Sequence, residues 1–228
     1  HIWEDGFSTN LNRAKDICRL IIKRGLHFPW NIYNGMRIDR LDEELLRLLK
    51  EAGCYRTSIG VESGNEKVLS GLGKNITLNQ IRRSVKLIKK SGVESLGFFM
   101  VGLPGDTEES MRDTINFAKE LNLDLAKVGI LMPLPGTPVF ADWDKKGLIV
   151  SKDWSKYIFH ADISPVYKHP NLDYKTIRRY YDKFYQELYL SPKFIAKRLW
   201  RGLKTGDVIW DAYYFLKTLP HGWFSKKE

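Results

Sequence analysis

Short β-type apolar runs alternate with helix-type stripes from the first residue to about Phe140. The runs are His1–Trp3, Trp30–Ile38, Tyr55–Val61, Ser95–Val101 and Leu125–Leu131. Their starts lie roughly 25 to 40 residues apart, enough for a strand, a helix and two connections. Between them, Leu45, Leu48, Leu49 and Ala52 fall on one face of a helix that Asp42 can cap and Gly53 can end. Thr77 with Gln80 is a capping-box signal before the stripe Ile81, Val85 and Ile88, which Gly92 ends. Asp106 or Thr107 starts a helix that turns Met111, Ile115 and Ala118 inward. Leu11 to Arg24 reads as another, ending at Gly25. The pattern predicts an α/β fold: a partial (β/α) barrel of parallel strands, with about five βα units and a helical C-terminal appendage.

The period changes after residue 140. Asp173 to Leu190 carries Ile177, Tyr181, Phe184 and Leu188 on one stripe, Ser191-Pro192 opens a second helix to about Leu203, and Asp207 to Leu219 reads as a third. This divides the chain into a partial barrel, 1–140, and a basic, aromatic-rich helical region, 141–228.

Composition sharpens that division. The 228 residues carry a net charge of +10, and 43% are apolar, which excludes a disordered chain. Residues 141–228 hold 17 Lys+Arg against 10 Asp+Glu, a net +7, and 19 of the 29 aromatic residues. The basic charge therefore belongs to the tail rather than to the βα region. No run approaches the roughly 18 apolar residues of a spanning helix. Cys18 and Cys54 have no disulfide-framework or metal-ligand spacing, and the scattered histidines have none either. With no secretory leader in view, a cytoplasmic location is expected, with membrane association through the tail as an option.

Ligands of parallel α/β folds bind at the carboxyl ends of the strands. The segments there are Glu4-Asp5-Gly6, Gly60-Val61-Glu62-Ser63-Gly64-Asn65, Gly102-Leu103-Pro104-Gly105-Asp106-Thr107 and Met132-Pro133-Leu134-Pro135-Gly136. Glu62 and Ser63 suit a polyhydroxylated or cationic ligand, because a carboxylate accepts from a diol or pairs with an ammonium group. The Gly102–Gly105 turn leads into a helix whose first N–H groups are expected to meet polar ligand atoms.

Taken together, Gly60–Asn65, Val68-Leu69, Lys74-Asn75-Ile76-Thr77, Phe98–Glu109 and Pro133–Thr137 resemble radical SAM enzymes. Glu4–Asn10, Arg37-Ile38-Asp39, Lys50–Cys54 and Leu190–Phe194 are similar to segments of the cobalamin-binding (B12) branch. The resemblance implies a partial barrel that binds S-adenosylmethionine, with a 4Fe–4S cluster and cobalamin in the full-length enzyme. It further implies methyl transfer or cyclisation on a small-molecule or lipid-like substrate. By matched position, Glu62 and Ser63 are expected at the ribose or methionine end, Glu4 and Asp5 near the methionine amino group, and Lys74 or Arg37 at its carboxylate. Gly102, Pro104 and Gly105 match the adenine-side turn, and Leu131, Met132 and Pro133 are expected to offer backbone or apolar contact to adenine.

One departure stands out. The family's C-x-x-x-C-x-x-C cluster motif is not in the 228 residues. The chain is therefore expected to be a C-terminal portion whose first partner is the missing N-terminal half of the same enzyme. By itself it is expected to be inactive. A split or degenerate non-catalytic module, with its basic tail on a membrane surface or RNA, is the alternative. A nucleic-acid partner is the less expected of the two, since the tail's aromatic stripe reads as core. A glycosidase pair, Glu4 or Asp5 with Glu62, would need a defined carboxylate separation and gives the Pro-Gly turns no role.

Overall fold

The computed structural model describes residues 1–4, 6–157, 166–206 and 208–218, with side chains described as far as Tyr213. Strands β1 (Trp30–Met36), β2 (Cys54–Glu62), β3 (Glu94–Val101) and β4 (Leu125–Ile130) form a sheet in the order β1-β2-β3-β4, parallel throughout. The helices α1 (Leu11–Lys23), α2 (Glu43–Glu51), α3 (Glu66–Gly71), α4 (Leu78–Ser91) and α5 (Glu108–Leu121) alternate with them. After β4 come α6 (Pro138–Lys145), α7 (Tyr174–Tyr189), α8 (Pro192–Thr205) and α9 (Val208–Thr218).

The capping residues act where the sequence places them. Asp42 accepts from the Leu45 N–H at 2.7 Å. Thr77 and Gln80 satisfy one another's orphan donors, and Gly92 takes the left-handed conformation that ends α4. At α5 the cap is Thr107, reciprocated by Ser110. Asp106 is not the cap; its buried carboxylate instead accepts from the Leu103 N–H at 2.8 Å and the Ser110 hydroxyl at 2.6 Å.

The expected count of five strands needs correction. His1–Trp3 contributes a single bridge, Ile2 to Ile32. A turn through Gly6 and Thr9 follows almost at once, so one residue reaches ladder geometry. β1 also stops short of Ile38. Gly35 adopts φ +103°, and Ile38–Arg40 coils into a 3-10 turn. Two short helices, α3 and α6, were not expected. Asn65 and Thr137 cap them, and Pro138 occupies the first turn of α6.

α7 is part of the main core. Ile177 and Phe184 are fully buried there, and the Phe184 ring lies 5.1 Å from that of Phe99 on β3. α7 also covers the free edge of β4 with two tyrosine hydroxyls, Tyr185 on Val128 and Tyr189 on Ala126. An uncovered edge would expose a ladder of unpaired N–H and C=O groups. α8 is tied to the amino ends of the strands by Lys197–Asp124 at 2.9 Å and by Arg201–Glu94. Among the described residues no helix is long and apolar enough to cross a membrane.

Candidate functional site

A cleft of about 810 Å³ opens at the carboxyl ends of β1 and β2. Arg37, Asp39, Glu62, Lys74, Asn75 and Phe98 are among its lining residues. Three sequence-predicted residues, Arg37, Glu62 and Lys74, thus converge from three separate segments.

Local backbone geometry sets the position of Glu62. The β2–β3 register shifts between Gly60 and Glu62, and Glu62 takes φ +64°. That left-handed conformation is uncommon outside glycine and marks a residue held by its surroundings. The side chain folds back over Gly60 to pair with the Lys74 ammonium. A Cβ on Gly60 would stand 2.8 Å from Glu62 Oε1 and 3.4 Å from Lys74 Nζ, so glycine makes room for the pair. Four residues on, a Cβ on Gly64 would lie 2.6 Å from the Asp113 carbonyl oxygen and from Phe117 Cβ, so this second glycine lets α5 approach the loop.

Arg37 forms a forked pair with Asp39, Nε to Oδ1 at 3.0 Å and Nη2 to Oδ2 at 2.9 Å. The guanidinium holds the Asp39 carboxyl below its usual range. The cleft wall therefore carries two acids and two bases, each pair solvent-accessible. Asp39 was not nominated from sequence, although an arginine and an aspartate two residues apart at a strand end were a usable signal.

The other predicted residues lie elsewhere. Glu4 pairs with Arg13 of α1 at 2.7 Å. Asp5 lies outside the described residues. Ser63 is fully buried; its hydroxyl lies 3.3 Å from that of Thr114 and accepts from the Asn65 N–H, so it fastens the loop to α5. Gly102 and Gly105, flanking Pro104, take positive φ as a tight turn requires. The expected free N–H groups there are engaged internally, by Asp106 at Leu103 and by the Thr107–Ser110 box at the helix start. Both backbone groups of Leu131 are also taken. Its N–H donates to Val101 and its carbonyl accepts from the Tyr167 hydroxyl at 2.9 Å. The Leu131 and Met132 side chains pack against the Trp143 cluster, and Pro133 is buried.

The Gly102–Gly105 turn has an unanticipated clamp from the tail. His169 Nδ1 accepts from the Asn171 N–H at 3.1 Å, which leaves Nε2 to donate to the Leu103 carbonyl at 3.0 Å. Burial lowers the His169 pKa and so favours this neutral tautomer.

The cleft's paired charges, a carboxylate facing an ammonium and a carboxylate facing a guanidinium, suit a zwitterionic ligand. The described residues do not fit an iron–sulfur cluster. No three potential ligands converge among them, and burial pushes the Cys18 and Cys54 thiols up to about 11 and about 12.

The model of the radical SAM superfamily matches residues 5–118. The chain belongs to the radical SAM superfamily. It is 35% identical over 211 residues to an uncharacterized methyltransferase of Pyrococcus horikoshii, covering 88% of this chain and 45% of the relative. It is 27% identical to the anaerobic magnesium-protoporphyrin IX monomethyl ester cyclase of Rubrivivax gelatinosus, covering 79% and 32%. The chain thus spans less than half the length of these curated relatives. Among solved structures, the radical S-adenosylmethionine methyltransferase TsrM of Kitasatospora setae, with tryptophan and a SAM analogue bound, matches with a TM-score of 0.56. That match is 22% identical and covers 78% of this chain and 35% of the other, a likeness of fold. The partial α/β barrel of parallel strands, here with four strands, and the helical C-terminal region are accordingly as expected.

Proposed function

We propose that the cleft holds S-adenosylmethionine, and that the chain is the SAM-holding part of a cobalamin-type radical SAM enzyme acting by methyl transfer or cyclisation. The observation that carries this reading is the Glu62–Lys74 pair, set beside Arg37–Asp39 at the open ends of β1 and β2. The methionine carboxylate and ammonium would exchange with this pair, Lys74 meeting the carboxylate and Glu62 the ammonium or the ribose diol. Arg37, already preorganised by Asp39, is a second cation within the same cleft. When bound, S-adenosylmethionine supplies a methyl or adenosyl group; this chain's residues orient it and shield it from water. Cluster and cobalamin ligands would come from elsewhere in the full-length enzyme, and unpaired Cys18 and Cys54 suit the cytoplasm.

Calorimetric titration with S-adenosylmethionine tests the reading. Glu62→Gln and Lys74→Ala are each expected to weaken binding at least tenfold; unchanged affinity in both variants overturns it.

A second contact is proposed for the tail. Leu199, Trp200 and Leu203 of α8 and Ile209, Trp210 and Tyr213 of α9 are exposed, Ile209 at 76% and Trp200 at 64%. Lys204 lies 4.7 Å over the Trp200 ring. Exposed tryptophans with flanking lysines favour an anionic membrane surface. The expected result is co-sedimentation with phosphatidylglycerol vesicles, reduced by Trp200→Glu, and none with phosphatidylcholine alone. Binding to RNA with no vesicle binding would refute it.

A further inference from the structure

The face of the sheet that carries Phe98 has a second chemistry. Gly60, Phe98 and Lys127 are register partners across β2, β3 and β4, so all three point to one face. Tyr33 of β1 reaches across β2, and its ring centroid lies 5.9 Å from that of Phe98 in an edge-on arrangement. From the opposite edge, Lys127 reaches back and donates to the Tyr33 hydroxyl at 2.7 Å, with its ammonium 5.2 Å from the ring centroid. Trp3 extends the group, 5.0 Å from Tyr33 and 67% exposed. Phe98 also lines the cleft that holds Glu62 and Lys74, so the aromatic group adjoins the polar one.

A lysine inside an open aromatic surface is unusual if its task is structural. Lys127 is exposed and pairs with no carboxylate among the described residues. Its partner on Tyr33 is a hydroxyl and not a carboxylate, so an anionic group can displace it without breaking an ion pair. The rings around it offer flat apolar area for stacking, with the ammonium at one side.

We propose that Trp3, Tyr33, Phe98 and Lys127 form a substrate-binding surface that adjoins the cleft at Phe98, and that its substrate is a planar or unsaturated apolar molecule carrying an anionic group that Lys127 binds. The proposal rests on the reading of the cleft as the S-adenosylmethionine site. Tyr33 acts as the positioning residue that holds the lysine over the aromatic surface until the anion arrives.

Two probe pairs test it on the 228-residue chain, each differing in charge on one planar ring: protoporphyrin IX against its dimethyl ester, and flavin mononucleotide against riboflavin. The expected result is that at least one acid binds ten times or more tighter than its neutral partner, with raised salt removing the difference. Which pair shows the effect identifies the combination of planar ring and anion that the surface takes. Lys127→Gln is expected to abolish the preference and Lys127→Arg to keep it; being exposed, neither disturbs the core. Equal binding of acid and neutral partner in both pairs overturns the proposal, as does a preference that survives Lys127→Gln. Glu62→Gln separates the two readings. It is expected to weaken S-adenosylmethionine binding while leaving the probe preference intact, so failure of one leaves the other measurable.

Discussion

The Tyr189 hydroxyl donates to the Ala126 carbonyl at 2.6 Å and accepts from the Ala126 N–H at 3.0 Å. One side chain of α7 thereby occupies both backbone groups of an edge-strand residue. Tyr185, one helical turn earlier, does the same for Val128. The hydroxyls replace the next strand's ladder, so the partial barrel closes on a helix.

Tyr189→Phe keeps the ring and removes the hydroxyl. Two half-buried backbone groups lose their partner, at a cost of about 1–3 kcal/mol. Urea denaturation is expected to show that loss, and Tyr185→Phe with Tyr189→Phe together are expected to aggregate more readily through the uncovered edge. A double variant as stable as the parent would remove the edge-capping role.

The two glycines flanking Glu62 are expected to respond differently. A methyl at Gly60 meets the ends of flexible side chains, so Gly60→Ala folds but displaces the Glu62–Lys74 pair and weakens S-adenosylmethionine binding about tenfold. A methyl at Gly64 meets the backbone of α5, so Gly64→Ala loses about 1–3 kcal/mol or more of stability. Thermal melting and calorimetry on the two variants separate these effects.

Acid should release α7. Glu187 accepts from Arg112 and Lys119 of α5, both at 2.5 Å. Burial alone would raise its carboxyl, but the two cations outweigh burial and hold it below the usual range. A depressed folded pKa contributes stability at pH values above the ordinary glutamate range, near pH 4.3, and that stability is lost as pH falls through the folded value. Melting temperature is expected to drop there, and Glu187→Gln to flatten the drop while costing about 1 kcal/mol at neutral pH.

His169 carries the same sign for a different reason. Its folded pKa is lowered by burial, so its neutral form is favoured and stability declines as pH falls below about 6.5. Hydrogen exchange across residues 102–106 is expected to quicken between pH 7 and 5, and His169→Ala to make it fast at both. Exchange that ignores pH and mutation would break the link to the turn.

Anaerobic reconstitution of this chain with iron and sulfide is expected to yield no stoichiometric cluster absorbance. Cys18 and Cys54 are buried thiols with raised pKa values, and thiolates are what ligate iron. One cluster per chain would overturn the fit described above.

Much of the candidate site was legible because its chemistry is local. A glycine before and after Glu62, a lysine before a capping box and an arginine at a strand end are all short-range signals. Ser63 could not be placed from sequence because a hydroxyl beside a candidate acid reads alike whether it faces a ligand or, as here, Thr114 of a helix distant in sequence. His169 was read only as one of several scattered histidines, since nothing near it in sequence names Leu103 as its partner.

Hydrophobic period and capping residues by themselves determined the alternation of strands and helices, the left-handed glycine ends, and the placement of the candidate ligand loops at one edge of a parallel sheet. Tertiary structure decided which of those loop residues share a cleft, that His1–Trp3 makes one bridge instead of a strand, and that α7 completes the core. The reason is range. Periodicity and caps act within a few residues, whereas Tyr33 with Lys127 and Ala126 with Tyr189 meet only after the chain has folded.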